Sequence, residues 1–366
     1  MSDYDYLNAR VRGMSTALLG RELFEQVLSA YTDTMLMDAL MSSAYGADLQ
    51  RARELHPGAP LARAMEDAIW ANASAAFARL LSAAPPGPRR LIALQLNRWD
   101  VGAVAALVRA RQAEAEPHET QAALLPIGEL TREQLEQLAS EQTLNGLVEA
   151  LTTWKHPLCF ELRRALADRA RQQPVPSARV LEHALYDAYF SWALAQLREN
   201  EPQERVVRGS IRRHIDQMNL AAVLTSVRTR AAGAAAISGT EPSDRPGPLR
   251  LYPRGLLEEK TLAELAASAT LEDAFESLAD SYLGPGVEKG ILAYGQSQSL
   301  GVMERFLETV WVEHSCRLFR QDVLGIAVPL GFVWRKYSEC VNLRLLARGT
   351  FFRMPSQAVR LELVLV

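Results

Sequence analysis

The sequence predicts an all-α protein made of three similar helical units, and three features of the chain support this fold class. Apolar residues recur at helical spacing through most of the 366 residues. Three sequence blocks recur in one order and at a nearly common offset. Strand-like alternation is nearly absent and is confined to VRLELVLV at 359–366, a C-terminal tail short enough to fray.

The first repeated block is a helix headed by an acidic residue that recurs roughly every 120 residues. These acids are Asp100, Asp216 and Glu339. Three positions later two copies have an asparagine, Asn219 and Asn342, whereas the first copy has Ala103. Apolar residues at the fourth, seventh and eighth positions form one stripe, and residues such as Trp99, Gly102 and Ala106 continue the apolar surface round the side of the helix. We therefore predict that each of these helices is buried between neighbours.

Further charged residues recur on the predicted helices. An arginine lies nine positions after the acid in two copies, as Arg109 and Arg348, and Thr225 takes its place in the second copy. The arginine points away from the acid of its own helix, because nine residues make about two and a half turns. The second repeated block is the preceding helix, and it carries Glu66, Glu182 and Glu304. All these charges need partners, which we expect on neighbouring helices.

The third repeated block predicts two short helices joined by a tight turn. It begins at Gly128 and at Gly255, and these two copies align without a gap. Thr143 and Thr270 lie in the middle of the block, where a threonine is expected to cap the second short helix. The first copy has a looser match that begins at Leu23.

The repeat predicts three units, at 1–116, 117–240 and 241–366. Because one such unit cannot bury its apolar faces alone, we expect the copies to pack side by side around a pseudo-threefold axis. Small residues and prolines at 231–248 indicate a linker, and the segments 82–90 and 171–179 indicate turns.

The recurring acids have two interpretations. They are either general acids or metal ligands, or they are polar ties that determine how the helices pack. We favour the ties, because a catalytic group is not normally built three times in one chain. A ligand set would also tolerate poorly the change from Asn219 and Asn342 to Ala103.

Composition and motifs exclude several other classes of function. Lys and Arg total 40 against 43 Asp and Glu, a net charge of −3 that does not resemble the basic surface of a nucleic-acid-binding protein. Phosphate-loop, nucleophile-elbow and dinucleotide-binding motifs are missing, and the six histidines are scattered. We predict no catalytic residue, no cofactor site and no metal site.

The cysteines and the apolar segments bear on the compartment. Cys159, Cys316 and Cys340 are isolated in sequence, which favours a reducing cytoplasm. The N-terminus lacks the apolar core of a signal peptide. The longest apolar run, at 323–334, is shorter than the roughly 20 residues that a membrane helix needs. We therefore expect any association with a membrane to go through a partner.

Three stretches carry a resemblance to a known family. They are YDYLNARVRGMSTALL at 4–19, the DxxNL pattern at 216–220 and ECVNLRLLARGTFFRMP at 339–355. In order and spacing they resemble the C subunit of V/A-type rotary ATPases, a central-stalk protein that is called subunit d in eukaryotes. The resemblance covers essentially the whole chain, although the linker at 231–248 and Ala103 depart from the family pattern.

The resemblance implies a role without catalysis. Family members are funnel-shaped, with three helical units around a cavity that receives the end of the rotor axle, which consists of the D and F subunits. The wide end rests on the proteolipid ring, so such a protein is peripheral on the cytoplasmic side and couples axle to ring. Four arginines are candidates for contacts with acidic axle residues, or are simply solvated: Arg89, Arg90, Arg212 and Arg213. The alternatives are a helical-repeat scaffold for a soluble partner, and an all-α enzyme that uses the recurring acids.

Overall fold

The structure is a computed structural model that describes residues 3–115, 120, 124, 126–156, 159–160, 163–164, 177–231, 249–322 and 324–365. In these ranges every helix or strand assigned is an α-helix, which confirms the all-α prediction. By contacts the chain forms two compact units. Unit 1 comprises Met1–Ala106, Glu116–Ser140 and Val312–Val366, and unit 2 comprises Leu107–Ala115 and Glu141–Trp311. The division into three repeats stays a prediction.

The first copy of the repeat contains four short helices followed by two long ones. They are α1 (Asp3–Ser15), α2 (Arg21–Ala30), α3 (Asp33–Met41), α4 (Gly46–Leu55), α5 (Leu61–Ala83) and α6 (Pro86–Gln112). The turn predicted at 82–90 is present between α5 and α6. Pro86 begins α6, a position that tolerates proline because the first helical N–H has no partner within the helix.

The second copy shows the predicted pair of short helices. Its described helices are α7 (Arg132–Ser140), α8 (Leu144–Thr153), α9 (Ala178–Ala195) and α10 (Pro202–Ala231). The Thr143 hydroxyl accepts the N–H of Gly146 at 3.0 Å, which confirms the predicted cap. The predicted linker lies outside the described residues apart from Ala231, and so does most of the predicted turn at 171–179.

The third copy repeats the pattern. Its helices are α11 (Glu259–Ala267), α12 (Leu271–Ala279), α13 (Gly284–Ser297), α14 (Leu300–Gln321), α15 (Ala327–Phe351) and α16 (Ser356–Glu362). Thr270 and Asp273 form a reciprocal capping box at the start of α12, which confirms the second predicted cap. Thr32 caps α3 in the same way by accepting the N–H of Met35, so the looser first copy has this feature too.

The C-terminal tail differs from its prediction. The alternating stretch at 359–366 is helical through Glu362, because α16 extends over it. Beyond the helix Val364 is buried. The side-chain amide of Asn342 on α15 donates to the carbonyl oxygen of Val364 and accepts the N–H of Val364. Val364 is therefore held in place, since its backbone groups are paired inside the protein.

Glycines allow two pairs of long elements to approach closely. A Cβ on Gly286 or Gly290 of α13 would meet α14 at 2.8 to 3.0 Å, at Val310 and at Met303 or Phe306. In unit 1 a Cβ on Gly331 of α15 would overlap the backbone of Phe319 on α14. The glycines thus permit helix contacts that any other residue would push apart.

One described helix, α6, is long and apolar enough to cross a membrane, and 72% of its apolar window is buried within the protein. The helix does not stand out in the sequence as an unbroken apolar run, because it carries Arg98 and Asp100 among its apolar residues. Burial inside the protein accounts for the composition of this helix, since core helices of soluble proteins are equally apolar.

Candidate functional site

Two of the recurring acids bind backbone N–H groups in an identical arrangement. Asp100 is 2% exposed, and its carboxylate accepts the N–H groups at 129–130 at 2.9 and 3.2 Å. Asp216 is fully buried and accepts those at 256–257 at 3.0 and 3.1 Å. Both turns lie just before the first short helix of the following copy. The acids are therefore tied to a turn, where the sequence analysis expected a tie between helices.

The glycine that begins the third repeated block is explained by this contact. A Cβ on Gly128 would overlap the carboxylate of Asp100, and one on Gly255 would overlap that of Asp216. The carboxylate thus lies flat against the backbone of the turn. In the sequence these glycines mark only the beginning of the repeated block. Their contacts with the carboxylates are shown by the structure.

The third acid makes the corresponding contact with the beginning of the chain. The carboxylate of Glu339 accepts the N–H of Leu19, just before α2, at 2.5 Å. It also accepts the hydroxyl of Tyr45 and, at 2.8 Å, the ammonium of Lys336. Lys336 is only 3% exposed and donates to Tyr45 as well. The first acid thus binds the start of the second copy, the second acid that of the third, and the third acid that of the first.

The recurring arginines and glutamates are partners of one another. Arg109 forms an ion pair with Glu182 at 2.8 Å. Arg348 pairs with Glu66 through two of its nitrogens. In both pairs the arginine belongs to one copy and the glutamate to the next copy in the same cyclic order. The prediction that their partners lie on other helices is confirmed.

The second copy has Thr225 instead of an arginine, and the positive charge near its glutamate partner comes from another residue. Burial raises the pKa of Glu304, and the charge of Arg228 works against that rise. Arg228 lies three residues after Thr225, about one turn further along α10. A positive charge therefore faces the third glutamate as well, although no ion pair joins the two residues.

The recurring asparagines form hydrogen bonds with backbone groups that lie outside the helices. Asn219 donates to the carbonyl of Tyr252 at 2.8 Å and accepts its N–H at 2.7 Å. Asn342 forms the same two bonds with Val364, at 2.8 and 3.0 Å. Each amide thus satisfies a backbone donor and acceptor at once, as a neighbouring strand would. Ala103 lacks these groups, so the first copy has no equivalent.

The carboxylate of Asp216 is buried and accepts several hydrogen bonds. Burial raises its pKa, although the bond from Tyr282 and those from 256–257 oppose the rise. The Tyr282 hydroxyl donates to it at 2.8 Å and in turn accepts the indole N–H of Trp311 at 3.0 Å. Such a carboxylate serves as an internal cap for a turn. Among the described residues no group of three or more potential ligands gathers around a metal position.

Several members of these clusters were missed in the sequence. Tyr45, Tyr282 and Lys336 were not singled out, although a lysine on an otherwise apolar stretch of α15 was a usable signal. The two tyrosines gave none, because their hydroxyls reach acids that are distant along the chain.

The four arginines proposed for partner contacts are not free. Arg89 donates to the carbonyl of Leu81 at 2.7 Å, and Arg212 to that of Gly255 at 2.6 Å. Arg90 also has a partner within the protein. The expectation that Arg212 and Arg213 are exposed is wrong, because both are half-buried along α10.

The fold and these contacts define an all-α protein whose repeated polar residues join helices to turns and to each other. The chain belongs to the ATP synthase (C/AC39) subunit family, whose sequence model matches residues 7–361. The match extends over all three predicted copies and agrees with the resemblance drawn from the sequence.

Curated relatives span nearly the whole chain. The C subunit of the A-type ATP synthase of Methanosphaera stadtmanae is 24% identical, over 94% of this chain and 83% of its own length. That of Methanosarcina barkeri is 23% identical, over 100% and 94%. The C subunit of the V-type ATP synthase of Deinococcus radiodurans is 23% identical, over 98% and 91%.

Proposed function

We propose that this chain is a non-catalytic central-stalk subunit of a V/A-type rotary ATPase. It couples the rotor axle, made of the D and F subunits, to the proteolipid ring and so transmits torque for ion transport. The observation that carries the proposal is the family match over residues 7–361, because it covers the whole chain and not one shared domain. The relatives named as C subunits of A-type and V-type ATP synthases support it.

The pattern of buried contacts supports the same role. Each recurring acid binds the beginning of the next copy, and the third binds the first. We include in the proposal the division at 1–116, 117–240 and 241–366 and a funnel-like arrangement around a pseudo-threefold axis.

Stiffness is the physical requirement for such a role. A hydrogen bond to a charged group contributes about 1.5–3 kcal/mol, more than a bond between neutral groups. Close-packed helices also resist compression and transmit strain. Asp100, Asp216 and Glu339 thus hold the turns at the starts of the copies without taking part in a reaction. In this proposal the protein is peripheral, at the cytoplasmic face of the membrane.

The test is a reconstitution with the axle. We expect the purified chain to form a 1:1:1 complex with the D and F subunits, detected by size-exclusion chromatography and native mass spectrometry. We also expect the chain to co-purify with a rotary ATPase from detergent-extracted native membranes. A folded axle that fails to bind the chain would contradict the proposal, and recovery only with a soluble protein would favour the scaffold alternative.

The enzyme alternative makes a different prediction. If the recurring acids were catalytic, Asp100→Asn, Asp216→Asn and Glu339→Gln would each abolish a turnover while leaving the fold intact. We expect instead lower stability and weaker assembly, because all three carboxylates accept backbone N–H groups. Thermal unfolding and complex formation, measured on the same preparations, separate these outcomes.

A further inference from the structure

Two arginines of unit 1 lie against one aromatic ring, and the charge of a third acts on one of them. The guanidinium carbon of Arg12 lies 5.4 Å from the centre of the Phe319 ring, and that of Arg335 lies 4.9 Å from it. Arg320 follows Phe319 in the chain at the end of α14. Arg12 and Arg320 are exposed, Arg335 is half-buried and the ring itself is 7% exposed.

None of these three guanidinium groups has a carboxylate partner among the residues that the structure describes. Other arginines in the same unit do form ion pairs: Arg348 and Arg360, for example, pair with Glu66 and Glu25. Burial lowers the pKa of Arg335, and the charge of Arg320 adds to that effect while Glu339 opposes it. Like charges thus lie near each other, with Glu339 as a nearby counter-charge, and an incoming anion would relieve the remaining repulsion.

The cluster is rigidly supported. Gly331 of α15 lies against the backbone of Phe319, and no side chain separates the two helices at that point. A small cavity of about 40 Å³ lies beside Arg335, lined also by Arg21 and Glu339. That volume holds only one or two waters, so a larger occupant has to contact the arginines from the surface.

We propose that Arg12, Arg320 and Arg335 form a docking surface for an acidic segment of a partner protein. Guanidinium groups match carboxylates in geometry as well as in charge, because their planar N–H groups donate in pairs. An acidic peptide is favoured over an anionic membrane, since the cluster is partly recessed and its three arginines are fewer than the roughly 4–8 basic residues of a typical membrane-binding patch. Identifying the partner as another subunit rests on the proposed function, whereas the cluster itself does not.

The test compares two double variants that remove the same charge. Arg12→Gln/Arg320→Gln alters exposed cluster residues, and Arg51→Gln/Arg53→Gln is the control on exposed positions of α4 in the same unit. Binding of a hexaglutamate peptide is measured by fluorescence polarisation at two salt concentrations. We expect the cluster variant to bind at least about tenfold more weakly and with a smaller salt dependence, and the control to bind like the wild type.

Two further measurements separate the possible failures. If the cluster variant binds the hexaglutamate peptide like the wild type and both join the D–F complex, the docking surface is wrong and the proposed function stands. If the wild type does not join that complex but binds the peptide through the cluster, the proposed function is wrong and the docking surface stands. Cluster-dependent binding to phosphatidylserine–phosphatidylcholine vesicles without peptide binding would overturn the proposal in favour of a membrane.

Discussion

At the scale of single residues, the charged groups of this chain are used as structural acceptors and donors. Asp100 and Asp216 each accept two backbone N–H groups, and Glu339 accepts one together with a tyrosine and a lysine. Leaving such a group unpaired in the interior costs more than the pair contributes. The polar residues therefore specify which turn meets which helix, in addition to any stability they provide.

Glu304 supplies a pH-dependent prediction. Burial raises its pKa in the folded protein, so the folded state holds the proton more tightly than the unfolded state. The contribution of Glu304 to stability is thus fully present below the unfolded pKa and is lost as the pH rises through the folded pKa. In Glu304→Gln this loss disappears. We expect the free energy of unfolding of Glu304→Gln, minus that of the wild type, to be larger at about pH 7 than at about pH 4.5.

Urea titrations at both pH values measure this difference, and Glu276→Gln on the exposed face of α12 is the control. A Glu304→Gln difference that stays constant between the two pH values would show that the burial of this carboxyl group has no such effect.

The buried cysteines give a second prediction at this scale. Burial raises the pKa of Cys316 and of Cys340 to about 12. Because the thiolate is the reactive form, neither residue should react with Ellman's reagent at about pH 8 while the protein is folded. In a Cys159→Ser background we expect no fast thiol in the native protein and two after denaturation. A fast native thiol would contradict the described burial.

At the scale of elements, the short helices are defined by their caps and the long ones by close packing. Thr32, Thr143 and Thr270 each begin a short helix by accepting an N–H group of its first turn. Pairs of the longer helices come into close contact where one of them has a glycine, as at Gly290 and Gly331. Local sequence therefore places the short helices, while shape complementarity places the long ones.

Gly331→Ala tests the packing of α14 on α15. The new Cβ would overlap the backbone of Phe319, which cannot rotate aside, so the two helices must separate. We expect a loss of about 3 kcal/mol in the free energy of unfolding, measured in urea. Gly295→Ala in α13 is the matched control, because nothing lies within 4 Å of the added methyl group. It should raise stability by about 0.5–1 kcal/mol, and equal effects at both sites would refute this packing.

At the scale of the whole molecule, one pattern of contacts recurs between the start of each copy and the acid of the preceding copy. In the first two connections the acid and the turn belong to copies that follow one another in the chain. Glu339 and Leu19 lie near opposite ends of the sequence and are joined only by side-chain and packing contacts. The C-terminal tail adds to this third connection through Asn342 and Val364. Both ends of the described chain are thereby anchored within unit 1.

Hydrogen exchange can test whether the three connections act separately. The amides of Leu19, Leu130 and Leu257 should exchange slowly although none of them lies within a helix, because each donates to a buried carboxylate. In Glu339→Ala we expect the amide of Leu19 to exchange at least about tenfold faster, with Leu257 unchanged. Simultaneous acceleration of all three amides would indicate a single cooperative structure, and no acceleration would refute the Glu339 contact.

The sequence by itself determined the all-α class, the capping threonines Thr143 and Thr270 and the burial of the helices that carry Asp100, Asp216 and Glu339, because helical periodicity and caps are local properties. Only the tertiary structure decided the partners: the turns for Asp100 and Asp216, Tyr45 and Lys336 for Glu339, and α15 for the tail that had looked like a strand. Leu19 and Glu339 are separated by 320 residues. No local pattern encodes a contact of that range, since it depends on how all the intervening helices pack.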